Sequence, residues 1–112
     1  MATTSMATTS RQFDVYRNPL KTAREGKPFL VDLQHDFWFD MTSRIVAPLA
    51  IRAAIGLSPR LHPPVLVAGQ TCYFDPTDII TLPLARLRNP IANLEEARDR
   101  IIAALDLVFT GI

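Results

Sequence analysis

The sequence predicts a mainly β domain that ends in one α-helix, a small and strongly twisted antiparallel barrel with the helix packed on it. Three observations carry that expectation. Short apolar segments recur between Phe13 and Leu87, separated by proline, glycine and asparagine. Gly69-Gln70 stands at hairpin spacing between Val65–Ala68 and Thr71–Phe74. From Leu94 onward the apolar period becomes that of a helix.

Taken in chain order, Met1–Ser5 repeats as Met6–Ser10, small and polar, with too little apolar surface to offset the entropy of ordering. Residues 1–11 are therefore expected to be a disordered tail and residues 12–112 the folded domain. The duplication leaves open an expression scar or a second start codon. Phe13–Tyr16 alternates apolar and polar, and Phe29–Leu33 is an apolar run after Pro28; both read as strands. The basic loop between them, Arg17–Lys27, carries Asn18-Pro19 and Gly26, which suits a connection pairing the two. Arg44–Ala54 is apolar on both faces, and Pro48 in its middle argues for a bent or edge strand rather than a helix. Gly56–Pro64 reads as a loop, with His62 on its surface. Ile79–Leu87 reads as a strand in which Pro83 marks an edge or bulge. Asn93 followed by Glu96 has the form of an N-cap with its capping-box partner. Leu94, Ala97, Ile101, Leu105 and Val108 then form one helical stripe, and Glu95 and Glu96 favour the positive end of the dipole.

Composition narrows the function classes. The chain has 112 residues, 48% hydrophobic and 21% charged, which suits one domain. Twelve basic residues against 11 acidic leave a net charge of +1, so no broad positive field is available for direct nucleic-acid binding. Cys72 is the single cysteine, which excludes an internal disulfide and a cysteine-rich zinc site, and its place in a strand suits a buried, inert thiol. His35 near Asp32, Asp36 and Asp40 meets no ligand-spacing rule, so neither metal nor cofactor is expected. No apolar run approaches the roughly 18 to 20 residues of a membrane span, and the N-terminus lacks the order of a signal peptide. A cytoplasmic protein without a membrane partner is the expectation.

Four stretches look familiar together: Gln12-Phe13-Asp14-Val15-Tyr16, Val31-Asp32-Leu33-Gln34-His35-Asp36, Val46-Ala47-Pro48-Leu49 and Phe109-Thr110-Gly111-Ile112. In order and spacing they resemble the CcdB family of plasmid and chromosomal toxins, from Gln12 onward. The resemblance implies an SH3-like barrel, the fold shared with the MazF and Kid toxins, and a homodimer. It also implies a cytoplasmic toxin encoded beside a CcdA-like antitoxin whose disordered tail wraps and neutralises it. Family members insert between the arms of the DNA gyrase A-subunit dimer and stabilise the complex in which gyrase has cut DNA. Gyrase does the damage, so the toxin is not expected to be an enzyme.

The family's functional tip is an aromatic-aromatic-glycine-isoleucine sequence at the helix end, which meets an arginine pair on gyrase. Phe109, Gly111 and Ile112 match that pattern, and Thr110 stands where the family has tryptophan. Threonine cannot cover a guanidinium plane, which removes a contact of about 0.5 to 2 kcal/mol. Asp106 is equivalent to a polar family residue near the gyrase contact. Phe37-Trp38-Phe39 lies where the family carries an apolar pair near the tip. Trp38, with Phe37, is expected to take part of the lost role, against the alternative that these aromatics form a lid on the barrel.

Two other functions stay open at this level. A ribonuclease of the MazF and Kid type could draft Arg44 with Thr42, Ser43 and His35 for acid–base work. A non-toxic relative that only binds antitoxin is the other, resting on Thr110.

Overall fold

The computed structural model describes residues 9–21, 24–38, 41–51 and 58–112. Among them seven strands form one antiparallel sheet: β1 (Asp14–Arg17), β2 (Phe29–Asp32), β3 (Ser43–Ala50), β4 (Pro64–Val67), β5 (Gln70–Phe74), β6 (Ile80–Pro83) and β7 (Ala92–Asn93). Helix α1 (Arg98–Thr110) follows. The order is β4-β5-β3-β2-β1-β7, with β6 also paired to β3, and the sheet curls into a nearly closed barrel. The predicted class, a mainly β barrel with a C-terminal helix, is the one observed. No helix among the described residues is long and apolar enough to cross a membrane.

Strands β1 and β2 pair as expected, with Val15 opposite Val31. Strand β3 is neither an edge nor broken by Pro48. It is a central strand, paired to β2 along one side and to both β6 and β5 along the other. Pro48 falls between the last β6 partner of β3, Val46, and the first β5 partner, Leu49, where a missing N–H costs no ladder bond on that side. The expected continuation to Ala54 and the start of the following loop lie outside the described residues.

The hairpin turn sits one residue earlier than the sequence suggests. Val67 pairs with Gln70, so the central residues are Ala68 and Gly69, at φ +50° and +83°. Positive φ at both positions gives the primed turn whose twist matches the strands, and glycine supplies it at the second position without strain. The strand expected over Ile79–Leu87 stops at Pro83 and becomes a 3-10 turn over Leu84–Arg86.

Asn93 is not the helix N-cap. It belongs to β7, opposite Asp14, which holds its backbone in strand geometry. Its side chain still works locally: Oδ1 accepts the Glu95 amide at 2.8 Å and Nδ2 donates to Gln12 O and Asp14 Oδ1. Glu95–Ala97 form a 3-10 turn, and the α-helix begins only at Arg98. The stripe is where the period put it as far as Leu105, whereas Val108 is only half-buried and lies outside the core. Leu94, Ala97, Ile101 and Ala104 are buried with Phe13, Val15, Val31, Leu49, Val65, Val67 and Phe74 in the main core, and Leu105 packs at its margin. Cys72 is fully buried there, and desolvation pushes its thiol up.

A polar network runs through the barrel wall. Arg44 on β3 is 1% exposed; its Nε donates to Asp32 Oδ2 at 2.8 Å and its Nη2 to Gln34 O at 2.8 Å. Ser10 Oγ donates to the same Asp32 oxygen and accepts the Tyr16 hydroxyl at 2.7 Å. The Gln34 amide donates to Asp32 Oδ1. Burial pushes the Asp32 carboxyl up against the pull of these donors, and it pushes the Tyr16 hydroxyl up to about 12. Ser10, which the sequence assigns to the tail, is thus buried and bonded; residues 1–8 lie outside the described set.

His62, read as a surface residue, is buried, with Nε2 4.0 Å from Asp75 Oδ1 and Nδ1 accepting the Ser58 amide. Asp75 also binds Lys27 Nζ at 3.1 Å. Burial pushes the Asp75 carboxyl up, but hydrogen bonds from Thr77 and Lys27 outweigh it and hold the group below the usual carboxylate range. Desolvation pushes the Lys27 ammonium down, and Asp75 and Asp78 outweigh that, leaving it raised.

Two outcomes follow. Arg44→Met leaves a buried carboxylate without its partner and should cost about 3 to 5 kcal/mol in urea unfolding, while Asp32→Leu combined with Arg44→Met should cost less than the sum of the single changes. The Asp75 contribution is complete above its unfolded value of about 3.9 and is lost as pH falls through the depressed folded value. Asp75→Asn should therefore flatten the acid limb of stability below about pH 4 and leave the profile between neutral pH and that point parallel to native.

Candidate functional site

Helix α1 ends in a left-handed residue. Gly111 has φ +77°, a conformation costing a side-chain-bearing residue about 1 kcal/mol or more, and its amide donates to Leu107 O at 3.0 Å. The chain thus leaves the helix at a fixed angle and ends on Ile112. Phe109 is 72% exposed and Ile112 82%, with Asp106, Thr110 and Gly111 exposed beside them. Inward residues Ile101 and Ala104 fix the helix on the barrel, and Arg100 Nη1 donates to Pro64 O at the start of β4. The outcome is a rigidly based helix with an apolar end in water. Covering Phe109 and Ile112 with a partner would contribute about 1.5 to 3 kcal/mol each.

Thr110 does not aim its hydroxyl outward. Oγ1 donates back to Asp106 O at 2.6 Å, the helix-internal bond threonine commonly makes one turn back. The sequence gives this no visible signal.

The second candidate cluster is a 3-10 turn over Asp36–Trp38. Phe37 and Trp38 are 70% and 52% exposed, so they are not a buried lid. Their rings pack edge to face with centroids 4.8 Å apart. The turn is pinned on its inner side: the Gln12 amide donates to Asp36 Oδ1 at 2.7 Å, Phe37 N donates to His35 Nδ1, and Gln34 Nε2 reaches Trp38 O. Gln12 Oε1 in turn accepts Arg98 Nη1, which ties this turn to the first turn of α1. Phe39, the third aromatic of the run, and Asp40 lie outside the described residues.

The structure therefore exposes the predicted residues in two groups, Phe37 with Trp38 and Asp106 with Phe109 through Ile112. No hydrogen bond or aromatic pairing among the described residues joins the two groups directly. Met41, 48% exposed and bonded through its amide to Trp38 O, extends the aromatic cluster and escaped the sequence reading because one methionine in a loop carries no signal. Arg44, drafted for ribonuclease chemistry, is buried and spent on Asp32 and Gln34, so its guanidinium cannot meet a phosphate without breaking the wall network. That removes the one strong cation from the acid–base set.

Because the tip side chains rest on little, Phe109→Ala and Ile112→Ala should each change folding stability by no more than about 0.5 kcal/mol, whereas Ile101→Ala should cost about 2 to 5 kcal/mol in the same denaturant titration.

No curated protein matches the chain. The model of the CcdB protein family matches residues 12–111. That match spans all seven strands and the whole of the helix, and with the barrel fold it places the chain in the CcdB family, the toxins of toxin–antitoxin pairs.

Proposed function

We propose that this chain poisons DNA gyrase by binding the A subunit through the end of α1, trapping the complex in which the DNA is cut. The observation that carries the reading is the exposure of Phe109 and Ile112 together on an ordered, glycine-capped helix, since neighbouring large apolar side chains left in water mark contact sites. The action is one of binding, with bond breakage left to gyrase, in the cytoplasm where gyrase works. A homodimer presents two such tips to the two-fold symmetric gyrase dimer, and a CcdA-like antitoxin neutralises it.

With Thr110 in place of tryptophan, the stacking surface must come from elsewhere. Trp38 supplies it in this reading: it is exposed, pre-ordered against Phe37, and tryptophan is the best cation–π face. Asp106, beside the tip, supplies a carboxylate for the gyrase arginines. The inward-turned Thr110 hydroxyl favours a second reading, a chain that pairs with antitoxin but no longer traps gyrase.

Purified gyrase with supercoiled DNA separates the two. Accumulation of linear, gyrase-linked DNA with the native chain, reduced about tenfold or more in potency by Trp38→Ala, is the outcome expected of the poison reading. Cleavage only with Thr110→Trp would establish the second. Unchanged potency of Trp38→Ala would remove Trp38 from the contact.

A further inference from the structure

The even balance of 12 basic and 11 acidic residues hides an uneven distribution. Lys21, Arg24, Arg86 and Arg88 are all exposed, and two features bring their two chain segments together. The first is Asn18, a buried polar residue at the head of the loop after β1. Its amide donates to Pro28 O and its Nδ2 to Lys27 O, while its Oδ1 accepts the Leu20 amide at 2.9 Å, so the loop leaves β1 on one fixed path. The second is Leu87, buried with Tyr16 and Leu30 in the smaller core, which seats the turn over Leu84–Arg86 against β1.

The consequence is a pair of neighbouring backbone carbonyls, each taken by an arginine. Arg24 donates to Asn18 O through Nε at 2.8 Å, and Arg86 donates to Pro19 O through Nη2 at 3.4 Å. Arg88 Nε donates to Ala85 O in the same turn. Each guanidinium is thus held through one nitrogen, which leaves its other N–H groups to donate outward. Among the described residues none of Lys21, Arg24, Arg86 and Arg88 pairs with a carboxylate, although Arg11, Lys27 and Arg44 each do. Glu25, next to Arg24 in the chain, is exposed and forms no ion pair there either.

Gathering like charges on one face costs free energy that an anion recovers on binding. Exposed guanidinium groups hold a single small anion weakly, because water and salt screen each contact. A chain of phosphates meets the whole cluster at once, and arginine gives each phosphate two parallel hydrogen bonds. We infer that this face grips the sugar–phosphate backbone of double-stranded DNA without reading its sequence. The net charge of the whole chain argues against a broad field, and the contact is accordingly a short one. The choice of DNA over an acidic protein rests on the proposed function, which places the chain beside DNA held by gyrase.

Fluorescence anisotropy of a labelled short duplex, titrated with the full chain and no gyrase, tests this. Affinity should not depend on sequence. Its logarithm should fall with that of salt at a slope of roughly 3 to 4 between about 50 and 200 mM, as the cations displace counterions from the phosphates. Arg24→Gln combined with Arg86→Gln should weaken binding about tenfold or more at the low end of that range and reduce the slope by about 2. Thermal midpoints report folding, and Arg88→Glu, which breaks no bond between the two segments, gives the same reading should the double variant unfold. Absence of binding at about 50 mM salt, equal affinity of a folded variant, or competition by poly-glutamate as strong as by DNA would each overturn the inference. Displacement of the duplex by inorganic phosphate beyond that by chloride at equal ionic strength would also overturn it, in favour of a small-anion site. Gyrase-dependent cleavage by the native chain is scored separately: cleavage without duplex binding removes this face and keeps the poison reading, and duplex binding without cleavage does the reverse.

Discussion

Asp32 and Arg44 form an ion pair in the wall of the barrel, and the placement of the surface residues depends on it. A buried carboxylate or guanidinium is tolerated only with a partner and further hydrogen bonds. Here the partners come from separate parts of the chain. Ser10 precedes β1, Tyr16 lies on it, Asp32 ends β2, Gln34 begins the next turn and Arg44 is the second residue of β3. Satisfying one aspartate thus fixes the N-terminal approach to the barrel, the register of β2 on β3 and the root of the loop that carries Phe37 and Trp38. A buried ion pair contributes little net stability compared with apolar packing. It does penalise any arrangement that separates its members.

On that frame the surface divides into held and free parts. The inner face of α1 is locked by Ile101 and Ala104, and its flanks by Arg98 and Arg100. The guanidinium of Arg98 also lies 5.6 Å from the ring centroid of Phe13, a residue held at φ +71° by backbone bonds to Asp32 and Leu94. Strain at a buried phenylalanine persists only where its surroundings dictate it, and here two strands and the helix junction do so. By contrast Phe109, Ile112, Phe37 and Trp38 spend their apolar area on water. Holding apolar side chains in ordered, exposed positions lowers the entropy a partner must supply on binding.

Much of this was legible in the sequence, and the exceptions have physical causes. Alternation and helical period survive in any solvent-facing element, so the pairing of β1 with β2, the β4–β5 hairpin to within one residue and most of the helix stripe could be read directly. Pro48 suggested an edge because the switch of partners along β3, which excuses its missing N–H, depends on β5 and β6 arriving from far along the chain. Asn93 carried a cap's side chain, yet pairing with β1 claimed its backbone. Ser10 looked like tail because its value lies entirely in two distant partners, and Arg44 looked available because isolated arginines usually are. The inward Thr110 hydroxyl did not announce itself, since it depends on the helical turn that brings Asp106 O within reach.

The division between a frame held from within and a tip left free is tested most directly by calorimetric titration of the isolated gyrase A subunit. The full chain would be compared with one ending at Val108, with thermal midpoints of both measured. The shortened chain should keep a near-native midpoint and lose measurable binding. Binding of equal strength by both would contradict the assignment of the helix end as the contact.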